Sequence, residues 1–236
     1  KIIIPRLPRI SNHTDFDPLL LHPDVTVEFA KDPAHCEVAD LIILPGSKSV
    51  RDDLNWLNEM GWDDYIYKHL RYNGRVLGIC GGFQMLGKFI HDPDGIEGEA
   101  GSSTGLALLD MQTTLQEEKC LQKVSGFLTI NDTPVAGYEI HAGISEGEAL
   151  KKPMMMLAGK SDGAISDDNQ LMGSYLHGVF DSANACDELL HWAGYKKYQS
   201  INIDDRREQG INLITDALVE NFDFDKMQKI LNGFYL

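Results

Sequence analysis

Basic residues are scarce in this chain. Its 21 Lys and Arg stand against 36 Asp and Glu, a formal net charge of −15 over 236 residues. No basic cluster offsets that excess, which argues against nucleic acid or an anionic membrane surface as a partner. The acidic residues scatter, as in Asp52-Asp53, Asp63-Asp64, Glu117-Glu118 and Asp167-Asp168, and read as a solvated surface. Cysteine is sparse too. The four present (Cys36, Cys80, Cys120, Cys186) form no C-x-x-C pair and no spacing with His suited to zinc. That pattern fits a reduced, cytoplasmic protein with no metal centre better than a disulfide scaffold. No apolar run approaches the ~20 residues of a membrane span, and no signal-peptide pattern is present.

Nucleotide signatures are also missing. Pro45-Gly46-Ser47-Lys48-Ser49 lacks the four-residue spacer and Gly-Lys pair of a phosphate loop, and no G-x-G-x-x-G follows the first strand. Nucleotide binding by this chain is not expected. The chain opens at Lys1, without Met, inside what reads as a strand, and is expected to be a piece of a longer protein.

What is present is an ordinary globular composition, 43% hydrophobic and 24% charged, with length enough for an ample core. Apolar runs at Lys1–Ile4, Val25–Ala30, Asp40–Leu44 and Val76–Ile79 read as strands. Val50–Leu57 and Trp62–Tyr72 have helical spacing, the second closed by Asn73-Gly74 as an αL cap would close it. Strands alternating with helices predict a mostly parallel sheet flanked by helices. From about Gly105 short β-type runs take over (Val124–Ile130, Val135–Ile140, Met154–Leu157, Leu171–Leu176), which predicts added antiparallel strands. A helix is expected over Asn184–Ala193. The segment Asp204–Leu236 reads as two helices broken near Asn221–Asp225. Residues 1–200 are expected to form the domain and 201–236 a helical extension of it.

The densest chemical signal is Arg75–Gly87, R-V-L-G-I-C-G-G-F-Q-M-L-G. An apolar run ends in Gly78-Ile79-Cys80-Gly81-Gly82 and a helix-like stretch, Phe83–Ile90, follows. This is the form of a nucleophile elbow, with Cys80 in strained backbone and its sulfur exposed at the carboxyl end of a strand. The positive end of the following helix is expected to favour thiolate. The bland reading is a buried, inert cysteine beside a glycine turn. A cysteine nucleophile needs a base. Of eight histidines, His177 ends an apolar strand before Gly178, and His141 is the other strand-borne candidate. Gly46 ends a neighbouring strand in the same crevice, so its N–H and that of Gly81 are candidates for an oxyanion hole.

Leu44–Ser47, the elbow and Leu176-His177-Gly178 together resemble a class I glutamine amidotransferase domain of flavodoxin-like fold. More narrowly, P-R-I-S-N-H-T-D-F-D-P-L (Pro8–Leu19), L-P-G-S-K-S (Leu44–Ser49), D-P-D-G-I-E-G (Asp92–Gly98) and G-Y-E-I-H-A-G (Gly137–Gly143) resemble the C-terminal half of the cobyric acid synthase family, over residues 1 to 194. The resemblance implies that Cys80 attacks the glutamine side-chain amide, with His177 shuttling the proton. It places Gln84 near the glutamine, with a solvent-facing helical Gln as the alternative. It implies a preceding synthetase domain that uses ATP and magnesium, neither of them held by this chain. The ammonia would amidate adenosylcobyrinic acid a,c-diamide, a corrinoid, in cobalamin biosynthesis.

Where the usual amidotransferase has Glu two residues after the histidine, Val179 stands here. What orients His177 is then open: Asp181 lies four residues on and Glu139 on a strand bordering the site, and Glu139 or a backbone carbonyl is the expected partner. Ser49 stands where the family often has Asn.

Three rival readings remain. A glutaminase subunit for peptidoglycan precursors shares the elbow and distal histidine, but the Asp92–Gly98 and Pro8–Asn12 phrases argue against it. A non-catalytic partner-binding module has no reason to keep Cys80, Gly46 and His177 together. A stress-type cysteine protein would want an acidic residue just before the elbow, where Val76, Leu77 and Gly78 stand.

Overall fold

The computed structural model describes residues 1–117, 120–197 and 202–233. Contacts divide the chain into two compact units, Lys1–Ile201 and Asn202–Leu236. The first contains, in order, β1 (Ile2–Pro5), α1 (Asp17–Leu20), β2 (Val27–Ala30), β3 (Leu41–Leu44), α2 (Val50–Glu59), α3 (Trp62–Arg71), β4 (Arg75–Ile79) and α4 (Gly81–Met85). It continues with β5 (Phe89–Asp92), β6 (Gly101–Thr104), β7 (Gln112–Thr114), β8 (Cys120–Leu128), β9 (Pro134–His141) and β10 (Ile144–Glu146). Then come β11 (Met155–Leu157), β12 (Lys160–Asp162), β13 (Ala164–Ile165), β14 (Leu171–Ser174), β15 (Leu176–His177) and α5 (Ala183–Trp192). The second unit is α6 (Ile203–Asn221) and α7 (Phe224–Gly233), with the break at Phe222-Asp223 inside the expected interval.

Six strands form the main sheet in the order β13-β14-β4-β3-β1-β2. All neighbours pair parallel except β13 with β14. This is the α/β architecture expected from the alternating pattern. Because successive side chains face opposite ways, Ile2, Ile4, Leu41, Ile43 and Leu77 join one core and Ile3, Ile42, Leu44 and Val76 the other. The second core is closed by α2 and α3, whose buried Val50, Leu54 and Leu57, and Trp62 and Ile66, recur at helical spacing. The first receives Leu189 and Leu190 of α5.

The added strands form two further sheets, ordered β10-β7-β5-β6 and β12-β11-β8-β9-β15. Two expectations are corrected here. The helix after Cys80 ends at Met85, not Ile90, because the chain turns at Gly87 and Lys88 N–H donates to Met111 O at 2.7 Å, so Phe89 and Ile90 enter β5. The run Leu171–Leu176 is two strands. At Tyr175 the chain leaves the main sheet, and β15 pairs instead with β9. Among the described residues no helix is long and apolar enough to cross a membrane.

Candidate active site

Parallel strands in an α/β sheet present their carboxyl ends to one crevice, and β1, β3, β4 and β14 do so here. At the end of β4 the chain turns into α4 through Cys80, whose φ of 52° and ψ of −111° are strained for a residue with a side chain. Only glycine fits behind it, since a Cβ on Gly82 would fall 2.0 Å from Leu44 O of the adjoining strand. Cys80 N–H donates to Ser174 O at 2.8 Å, fastening the elbow to β14.

Two residues past that carbonyl the chain has crossed at Tyr175 into β15, which carries His177, fully buried. Buried Asp162 holds the crossover. It accepts from Ser174 Oγ and from Tyr175 N–H, and burial pushes its carboxyl up to about 6. The imidazole's partner is Asp15, in a 3-10 turn over His13–Phe16 that follows β1. Asp15 Oδ2 lies 2.6 Å from His177 Nδ1, and Oδ1 accepts Gly178 N–H at 3.1 Å. An ionised carboxylate only accepts, so Nδ1 carries the proton and the lone pair is on Nε2.

The expected partners, Glu139 or a backbone carbonyl, are thereby corrected. Tyr138 lies opposite His177 in register, and its ring packs near-parallel to the imidazole, centroids 5.3 Å apart. The next residue of a strand faces the other way, and Glu139 accepts from Gln122 Nε2 on β8 at 2.5 Å.

The Cys80 thiol is buried beneath a cleft of about 380 Å³. Burial pushes it up to about 12, with the nearby Asp15 charge adding to the rise and the Gly81 N–H, donated to the sulfur, opposing it. The expected thiolate preference is overturned, because α4 is only five residues long and desolvation outweighs its N-terminus. In this structure the thiol donates to Ile140 O at 3.5 Å.

Gln84 lines the same cleft and is buried, not solvent-facing; its Nε2 donates to Tyr175 Oη at 3.3 Å. His141, also in the lining, stacks on Tyr175 with centroids 3.9 Å apart, and Nδ1 lies 3.1 Å from Gly143 O. Burial lowers its pKa below the ordinary histidine value, so it is neutral at pH 7. Gly46 touches both sides of the site: a Cβ there would lie 2.7 Å from Ser11 Oγ and 3.2 Å from His177 Cε1.

Lys48 and Glu97 bring opposite charges to the cleft. Their loops are fastened by two fully buried carboxylates. Asp53 accepts from Ser47 Oγ at 2.6 Å and from Arg9 N–H at 3.2 Å. Asp92 accepts the N–H groups of Ile96 at 2.8 Å and Glu97 at 3.0 Å. Glu97 Oε2 in turn accepts Val50 N–H at 2.6 Å at the start of α2.

The sequence did not single out Asn12, Asp15, Lys48 or Glu97. All four sit inside phrases that carry the family resemblance, in segments that follow the carboxyl ends of β1, β3 and β5. Among the described residues no group of His, Cys, Asp and Glu is arranged to hold a metal ion.

A cysteine elbow and a carboxylate-bound histidine thus lie at the carboxyl end of a mostly parallel sheet. Residues 1–185 match the CobB/CobQ-like glutamine amidotransferase domain, and the chain belongs to that family. Solved structures share the fold. A crystal structure of a glutamine amidotransferase is 17% identical, with 82% of this chain and 99% of that one covered at a TM-score of 0.62. PurLQS from Thermotoga maritima is 16% identical, with 77% and 88% covered at a TM-score of 0.56.

Proposed function

We propose that this chain is the glutaminase half of a cobyric acid synthase, releasing ammonia from glutamine for a synthetase domain. As glutamine enters, His177 Nε2 takes the Cys80 proton and Sγ attacks the side-chain amide carbon. The oxyanion is met by the N–H groups of Gly46 and Gly81. Nε2 returns its proton to the amide nitrogen, the C–N bond breaks and ammonia leaves. Nε2 then deprotonates water, which attacks the thioester; glutamate departs and the thiol re-forms. Asp15 holds the imidazole in the tautomer both proton transfers need and stabilises its charged form. With the resting thiol pushed up to about 12, the proton transfer belongs to the substrate-bound state, when catalytic hydrogen bonds tighten.

Glutamine's other end is a zwitterion. Glu97 suits its ammonium and Lys48 its carboxylate, and both line the Cys80 cleft together with Gln84. The observation that carries the reading is the His177–Asp15 pair, held three residues beyond the Ser174 carbonyl that fastens Cys80.

ATP and magnesium would act in the synthetase domain, which would receive the ammonia and amidate adenosylcobyrinic acid a,c-diamide. The test is a reconstitution of the chain with that domain, ATP, magnesium, the corrinoid and amide-15N glutamine. Mass spectrometry should find 15N amides on the corrinoid. Glutamine hydrolysis without corrinoid amidation would overturn the assigned pathway and leave the glutaminase standing.

A further inference from the structure

Asn12 lies against the catalytic ring. Its Nδ2 is 3.1 Å from Nδ1 and 3.0 Å from Nε2 of His177. A donor in the ring plane reaches only one nitrogen, so one equidistant from both lies over the Nδ1–Cε1–Nε2 edge. Nδ1 already gives its proton to Asp15. The amide N–H therefore meets the electron-rich face of the ring beside the Nε2 lone pair, a weak but directional contact.

The backbone argues that this placement is not incidental. Asn12 occupies the N-cap position of the His13–Phe16 turn, where Asn ordinarily caps with its side chain. Here it makes no cap hydrogen bond. It instead adopts the left-handed conformation, φ 50° and ψ 43°, which aims the amide at the imidazole. Its carbonyl accepts Asp15 N–H at 2.9 Å, so one short turn presents both Asn12 and Asp15 to the same ring.

We propose that Asn12 is a positioning residue for His177, its amide N–H fixing the tilt of the imidazole while Asp15 fixes its rotation and tautomer. The assignment rests on the glutaminase reading above. A contact on the ring's edge and one on its face together define the ring plane, and a base must point its lone pair at the thiol to be effective.

Two variants separate this role from a structural one. Asn12→Gly keeps the left-handed backbone without strain and loses no cap, so the fold should be retained. Asn12→Asp keeps the shape but replaces the donor by an acceptor. Both should lower kcat for glutamine hydrolysis about tenfold with KM within about twofold and Tm little changed. Alkylation of Cys80 by iodoacetamide at pH 7, read by mass spectrometry, should slow in both towards the His177→Ala rate. Wild-type kcat and alkylation rate in Asn12→Asp would overturn the proposal, because shape alone would then suffice. A wild-type chain that hydrolyses no glutamine, yet shows the alkylation differences, would sink the glutaminase reading and leave the positioning intact.

Discussion

His177 and Asp15, 162 residues apart in the chain, meet Nδ1 to Oδ2 at 2.6 Å with neither side chain meaningfully exposed. It gives His177 a carboxylate partner although Val179, not an acid, stands two positions after it. The carboxylate comes from the opposite end of the sequence because the chain segments that follow β1 and β14 leave the main sheet at the same, carboxyl end of its strands.

Asp15→Asn should retain the shape of the pair and lose the tautomer. We expect kcat for glutamine hydrolysis to fall about 10²–10⁴-fold, with the apparent Kd for glutamine, measured on Cys80→Ala background, nearly unchanged. A kcat within threefold of wild type would mean that something else orients the ring.

Glu97→Gln preserves an acceptor for Val50 N–H and removes only the charge. KM for glutamine should rise about tenfold or more while kcat stays close to wild type. If kcat falls and KM holds, Glu97 acts on the reaction and not on the substrate's ammonium.

The strand pattern, the elbow and the distal histidine were legible before the fold was known because each is local. A buried strand is a continuous apolar run, and a nucleophile turn needs glycines at fixed offsets. The Asp15–His177 contact is not local; it follows from strand order, which no spacing reveals. The helix after Cys80 is shorter than its pattern suggests because Phe89 and Ile90 suit a helix or a strand equally, and pairing with β6 and β7 decides between them. Leu171–Leu176 reads as one strand because its residues are buried on both sides of the junction. The break at Tyr175 is set by where Asp162 fastens the chain.

Asp162 gives a pH signature. Its carboxyl is raised to about 6 from an ordinary value of 3.8. Between those values the unfolded chain has released the proton and the folded chain still holds it. The contribution to stability is therefore fully present below about pH 4 and lost as pH rises through 6. Urea unfolding of wild type and Asp162→Asn from pH 4 to 7 should show wild type losing stability relative to the variant over that window, then running parallel. Parallel curves throughout would mean the carboxyl titrates normally.

Gly46→Ala would drive a Cβ to 2.7 Å from Ser11 Oγ and 3.2 Å from His177 Cε1. We expect loss of about 1–3 kcal/mol in stability and a disproportionate fall in kcat, because one of the two groups crowded is the proposed base, His177. Unfolding and kinetics measured on the same preparation separate the two effects. Unaltered kcat would remove Gly46 from the site.

The central claim is that Cys80 is a glutamine-directed nucleophile activated by His177. Incubating the chain, with and without its synthetase domain, with diazo-oxo-norleucine and mapping the adduct by mass spectrometry tests it most directly. A single adduct on Cys80, blocked by glutamine, abolished in Cys80→Ser and strongly slowed in His177→Ala, is the predicted result. Labelling elsewhere, or none even with the synthetase domain present, would contradict it.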